Sequence, residues 1–187
     1  MRARIGVLAL QGDFEAHSQV LCELGAEAHK VRTPGDLEEL DGVIIPGGES
    51  TTMSIGLERE GLAEPLRDLV RRGKPVLGTC AGMIMLDREH LGLLDISARR
   101  NAFGRQLRSF EADLELAGFD GPLRAVFIRA PWVDEAGEGV EVLAEVDGHP
   151  VAVRQGQVLA VAFHPELTGE DRLHRWLVER SNGDGSA

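Results

Sequence analysis

The sequence predicts an α/β fold: a single domain with a mixed, mainly parallel central sheet flanked by helices, plus additional antiparallel strands in the second half. Three observations carry that expectation. In the first half, short β-branched apolar runs alternate with helical patterns, as strands of a parallel sheet covered on both faces do. After Gly92 the texture changes to strand-like runs, several separated by glycine turns, which is the pattern of antiparallel strands. Finally, 187 residues with 43% hydrophobic and 27% charged content suffice for one core without disulfide or metal staples.

Taken in order, residues 4–9 read as a buried strand and residues 13–24 as a helix. A second strand follows at 28–31 and a third at Gly42–Ile45, stopped by Pro46-Gly47-Gly48. A helical stretch then runs to residue 72, broken near Gly61, with Pro65 close to the start of its second part. Residues 75–78 form a fourth strand feeding a helix at 81–89. Segments 103–110, 112–116, Leu123–Ile128, 140–146, 151–153 and 158–163 are strand-like, and a last helix is expected at 170–180. Residues 1–180 make the expected domain and 181–187 a frayed tail. No internal repeat and no dividing linker is visible.

Composition narrows the function classes. A net charge of −11 gives no support to nucleic-acid or anionic-membrane binding. No apolar run approaches the roughly 20 residues needed to cross a bilayer. The opening residues have too short an apolar run for a signal-peptide core. Cys22 and Cys80 alone make no disulfide framework, which points to a reducing, cytoplasmic setting.

Chemistry concentrates at Gly78-Thr79-Cys80-Ala81-Gly82. A strand ending in Gly-x-Cys-x-Gly and opening a helix has the form of a nucleophile elbow. The following helix N-terminus favours a thiolate, and the N–H of Ala81 is placed to help hold an oxyanion. The competing reading is a buried structural cysteine. Cys22, beside the apolar stripe of Phe14, Leu21 and Leu24, is assigned to packing.

A nucleophilic cysteine needs a base, and six histidines compete. His164 is best placed, at the end of the strand 158–163, with Glu166 two residues on and expected on the same side of an extended segment to hold the imidazole tautomer. A strand end with surface charges is the alternative. His17 shares a helical face with Phe14 and Leu21 and reads as half-buried support. His29 falls in a strand, and His90, His149 and His174 look like loop or exposed-helix positions. No group of His, Cys and carboxylates has metal-ligand spacing, so neither a metal site nor a cofactor is expected.

The loop Pro46-Gly47-Gly48-Glu49-Ser50-Thr51 lets backbone N–H groups approach a ligand or oxyanion closely. It lacks the Gly-Lys-Ser/Thr ending of a phosphate loop, and a plain turn with Ser50 or Thr51 as helix N-cap is the other reading. Unusual residues thus sit after three strands, where open α/β sheets form their sites.

These motifs, with Phe163-His164-Pro165-Glu166-Leu167, resemble those of the triad-type (class I) glutamine amidotransferases. Gly6-Val7-Leu8-Ala9-Leu10-Gln11-Gly12, Arg100-Asn101-Ala102-Phe103-Gly104-Arg105-Gln106, Ser109-Phe110-Glu111-Ala112-Asp113-Leu114 and Val126-Phe127-Ile128-Arg129-Ala130-Pro131 narrow the resemblance. They are similar to the family of glutaminase subunits of pyridoxal phosphate synthase, with the likeness spanning about residues 5–177.

The resemblance implies that Cys80 attacks the side-chain amide of L-glutamine, that His164 acts as base and then acid, and that Glu166 orients His164. It implies glutamine contacts from Gly48, Glu49, Ser50, Arg100, Ile128 and Arg129, and a second oxyanion N–H from Gly47 or Gly48. It further implies a hetero-oligomer in which ammonia passes to a separate barrel-shaped synthase subunit that builds pyridoxal phosphate. Lys30 and Lys74 are the only lysines, and neither is a candidate for Schiff-base chemistry in this chain. A cysteine peptidase or amidase of the same fold, and a non-catalytic regulatory subunit, are the alternatives.

Overall fold

The computed structural model describes residues 2–104 and 109–183. The first half contains β1 (Arg4–Leu8), α1 (Phe14–Glu23), β2 (Glu27–Val31), β3 (Gly42–Ile45), α2 (Ser50–Arg59), α3 (Ala63–Arg71), β4 (Val76–Thr79) and α4 (Ala81–Leu86). The second half contains β5 (Ile96–Arg99), β6 (Ser109–Leu114), β7 (Leu123–Ile128), β8 (Trp132–Ala136), β9 (Glu141–Val146), β10 (His149–Gln155), β11 (Val158–Val161) and α5 (Arg172–Ser181).

The main sheet has seven strands in the order β2-β1-β3-β4-β11-β10-β9. Its first five are parallel, and β10 and β9 extend it antiparallel. Two small antiparallel sheets, β5-β8 and β6-β7, stand apart from it. The mixed, mainly parallel expectation therefore holds. Strands β3, β4 and β11 are buried along their whole length, which is why their sequences are apolar runs rather than alternations.

Helices α1 and α5 pack against each other, as do α2 and α4. Residue alternation along β4 shows that the two pairs cover opposite faces: Thr79 reaches His17 of α1, whereas Gly78 lies against Leu86 and Gly82 of α4. A Cβ on Gly82 would lie 2.0 Å from the carbonyl oxygen of Ile45, so only glycine lets α4 sit this close to the end of β3.

Several sequence expectations shift. The helix predicted to residue 89 stops at Leu86, because buried Asp87 turns its carboxylate back onto the N–H groups of Glu89 and His90 and starts a turn. The runs 103–110 and 112–116 resolve into one strand, β6, with residues 105–108 lying outside those described. β5 and β8 were not foreseen. They are half-exposed and tied partly by charge, with Arg99 bonded to Asp134 at 2.8 Å, so they lack an apolar run. Ser181, placed in the tail by the sequence, closes α5 with its hydroxyl on the Leu177 carbonyl; residues 184–187 lie outside those described. Among the described residues no helix is long and apolar enough to cross a membrane.

The contact at Gly82 is testable. Gly82→Ala should destabilise the fold by about 2 kcal/mol or more, because the clash is with backbone rather than a yielding side chain. Urea unfolding midpoints of the two proteins measure it.

Candidate active site

Because β3, β4 and β11 are adjacent and parallel, the segments leaving their carboxyl ends emerge side by side. Cys80 follows β4 directly. Its N–H is held by the Val161 carbonyl at 2.9 Å, so the turn begins while still anchored to β11. Cys80 then takes φ 50° and ψ −111°, a conformation unfavourable for a side-chain-bearing residue that projects its sulfur out of the sheet. The side chain is nearly buried, with 8% exposure, and Sγ lies 3.8 Å from the Ile128 carbonyl oxygen. Ala81, first residue of α4, has no helical acceptor for its N–H.

His164 leaves β11 and is pinned by its own N–H to the Val126 carbonyl of β7 at 2.9 Å. Residues Pro165–Leu167 form a 3-10 turn, not the extended segment expected from sequence. Proline starts that turn, and it is the turn that brings Glu166 back beneath the imidazole. His164 Nδ1 meets Glu166 Oε1 at 2.7 Å, with both groups buried. Burial works against charge on His164. The hydrogen bonds to Cys80 and Glu166 and their negative charges outweigh it, raising the imidazole from its ordinary 6.5 to about 10.

The Gly47-Gly48 loop closes over this pair. A Cβ on Gly47 would lie 2.6 Å from His164 Cε1 and 3.3 Å from Cys80 Cβ, so a side chain there would displace the histidine. Behind it, a Cβ on Gly12 would lie 1.7 Å from the Gly47 carbonyl oxygen, and Gly12 itself sits at φ +91°. Gln11 Oε1 accepts the Glu49 N–H at 2.7 Å. The segment after β1 therefore braces the loop.

Glu49, rather than Ser50 or Thr51, caps α2: its carboxylate accepts the N–H groups of Thr51 and Thr52 and the Thr52 hydroxyl. These bonds hold the carboxyl near pKa 2. Arg100 reaches Glu49 at 3.1 Å and Thr51 Oγ1 at 3.0 Å, so the two residues expected to meet glutamine meet each other.

A cleft of about 470 Å³ opens at this point, large enough for a free amino acid. It is lined by Cys80, Ala81, His164 and all the expected contacts: Gly47, Gly48, Glu49, Ser50, Arg100, Ile128 and Arg129. Sequence reasoning missed Asn101 and Ile84 on its wall. It also missed the strain at Asn101 and Arg129, whose φ angles are 45° and 46°. Asp13 stands near His164 and Glu166, with ligand-type atoms within 4.8 Å of one another. The latter two are already bonded to each other, which leaves Asp13 at the rim.

Other residues moved from their expected roles. Cys22 is exposed, because it falls one residue beyond the inward face set by His17 and Leu21. His17 is fully buried rather than half-buried, and His174, expected on an exposed helix, is also fully buried. The His174 signal was present: it precedes Leu177 by three residues and lies next to Leu173 on the inward face of α5. His149 opens β10 and stacks on Trp132, and His90 bonds Asp87.

Residues 7–182 match the model of the SNO glutamine amidotransferase family. The chain is 57% identical to the pyridoxal 5'-phosphate synthase subunit PdxT of Mycobacterium avium (strain 104), over 96% of this chain and 97% of that protein. It is 58% identical to the subunit of the same name from Parafrankia sp. (strain EAN1pec), over 94% of this chain and 92% of that one. A solved structure described as a glutamine amidotransferase superposes with TM-score 0.89 at 49% identity, covering 95% of this chain and 98% of that one. PurLQS from Thermotoga maritima shares the fold at TM-score 0.76 with 20% identity, over 96% of this chain and 99% of that one.

The His164 environment sets a measurable titration. Imidazole NMR should find His164 protonated through neutral pH, and Cys80→Ala should lower its pKa from about 10 toward 6.5. A raised folded-state value stabilises fully below the unfolded value of 6.5 and loses that stabilisation as pH climbs through about 10. Thermal midpoints should fall across that window, and fall less in Cys80→Ala.

Proposed function

The chain belongs to the SNO glutamine amidotransferase family, and on that premise we propose that it hydrolyses L-glutamine to L-glutamate and ammonia as the glutaminase subunit of a pyridoxal 5'-phosphate synthase. The observation that carries the reading is the meeting of Cys80, on a strained turn at a helix start, with the His164–Glu166 pair 2.7 Å apart in one amino-acid-sized cleft.

Cys80 is the nucleophile, His164 its proton partner and Glu166 the group that orients His164. The raised His164 pKa keeps a proton on the imidazole at neutral pH, and the nucleophile that acts is the Cys80 thiolate beside it. The sulfur adds to the amide carbon, and the N–H groups of Ala81 and of Gly47 or Gly48 hold the oxyanion. His164 gives its proton to the departing nitrogen, forming ammonia and a thioester. It then takes a proton from water, whose attack expels the sulfur, releases glutamate and restores the thiolate beside a protonated imidazole.

Arg129 supplies positive charge for the substrate carboxylate, and Arg100 does so from the Glu49 side of the cleft. Gly48 and Ser50 present backbone and hydroxyl along the glutamine side chain, and Ile128 supports its apolar stem. Glu49 acts chiefly by holding α2 and Arg100 in place.

Ammonia is consumed by a separate synthase subunit, the partner in a hetero-oligomer, and a reducing cytoplasm suits an unprotected catalytic thiol. The Gly47-Gly48 peptide is the natural point of partner control, since glycine peptides reorient at little steric cost and Gln11-Gly12 touches both the loop and the outer surface.

Glutamate release measures the nucleophile assignment. Cys80→Ala should abolish turnover without unfolding the chain, while Cys22→Ala, at an exposed position, should stay within about threefold of the parent. The reverse pattern would overturn the assignment.

Partner control is tested with the organism's synthase subunit at saturating glutamine. The free chain should be slow, and partner addition should raise kcat severalfold or more, up to the about 10²–10³ that one oxyanion donor contributes. Equal rates, with binding shown independently, would mean a preformed oxyanion hole.

A further inference from the structure

Behind the triad lies a second polar cluster that the mechanism does not use. His17, Thr79 and His174 are wholly inaccessible, and so is the side chain of Glu166. They come from four different elements: α1, the end of β4, α5 and the 3-10 turn after His164. His174 Nε2 lies 2.8 Å from His17 Nδ1. His17 Nε2 in turn faces Thr79 Oγ1 at 3.2 Å and Glu166 Oε2 at 3.5 Å. Among the described residues Glu166 Oε2 has no shorter partner, and His174 Nδ1 has none.

We propose that His17 is a positioning residue for the triad: its Nε2–H faces the free oxygen of Glu166, and His174 fixes the tautomer that makes this possible.

Hydrogen-bond bookkeeping selects that tautomer. If His17 carried its proton on Nδ1, it would donate to His174 Nε2, forcing the His174 proton onto Nδ1. There it would be a buried donor with no acceptor, and a bare imidazole lone pair would face the Glu166 carboxylate. Both are costly. With protons on both Nε2 atoms, His174 donates to His17, His17 donates toward Thr79 and Glu166, and only a lone pair at His174 Nδ1 goes unused. The second arrangement leaves no buried donor unpaired in the histidine pair. Burial pushes the pKa of His17 well below its ordinary value and that of His174 down to about 4, so both are neutral. His17 then restrains Glu166 as a dipole without neutralising it, and the carboxylate charge stays available to His164.

The proposal rests on Glu166 being the residue that orients His164. Its test begins with the unaltered chain, where ¹⁵N NMR of the imidazoles should show both His17 and His174 protonated on Nε2. A proton on His17 Nδ1 would overturn it, and no variant need fold for that result. Kinetics supply the functional arm. His17→Leu should lower kcat by about 10–100-fold with KM within about threefold, and His17→Gln, whose amide nitrogen reaches the Nε2 position, should recover most of the loss. In a Glu166→Gln background His17→Leu should cost less than about threefold, because its partner charge is already gone. An equal loss in both backgrounds, or no loss in the parent, would mean that His17 only packs. A parent chain that stays without glutaminase activity when the synthase subunit is bound would instead defeat the proposed function, while the tautomer spectrum still decides the orientation of His17.

Discussion

β4 is bonded to β3 on one side and to β11 on the other, all three parallel, and the cleft beside Cys80 and His164 depends on that pairing. Parallel strands deliver their carboxyl ends to the same edge, so a glycine loop, a cysteine and a histidine far apart in sequence arrive together. The approach is tight enough that side chains are excluded around them. Gly82 touches the Ile45 carbonyl, Gly47 touches His164, and Gly12 touches Gly47. The sharp turn at Cys80 is sustained because the fully buried strands leave it no room to relax.

Charge is distributed with similar economy. The buried His164–Glu166 pair lies beside Cys80, where protein rather than water surrounds the charges and each interaction counts for more. The two histidines behind it are held neutral by burial, so they compete neither for the carboxylate charge nor for the proton on His164. Three imidazoles within one small region thus have their proton affinities pushed in opposite directions by their surroundings. That separation is how a site assigns different tasks to the same residue type.

The cleft rim is organised differently. Glu49, Thr51 and Arg100 form an exposed network at the start of α2, and Gln11 holds the backbone of Glu49. Contacts of this kind are individually weak in water and rearrange readily. The buried His164–Glu166 pair thus lies below a rim of exposed polar contacts.

The sequence by itself determined the parallel core and singled out Cys80, His164 and Glu166 as the proposed triad. Strand signals such as Gly42–Ile45 and Leu123–Ile128 are local, and Gly-x-Cys-x-Gly and His-Pro-Glu carry their chemistry within a few residues. Only the tertiary structure decided what non-adjacent segments do to one another. It turned Glu166 toward His164 through a 3-10 turn, gave Glu49 to the α2 cap and Arg100, exposed Cys22, and buried His174 against His17. It also paired β5 with β8, whose residues advertise no strand alone. The reason is physical: a polar side chain's role is set by the partner it finds when water is removed, and those partners lie as far apart in sequence as His17 and His174.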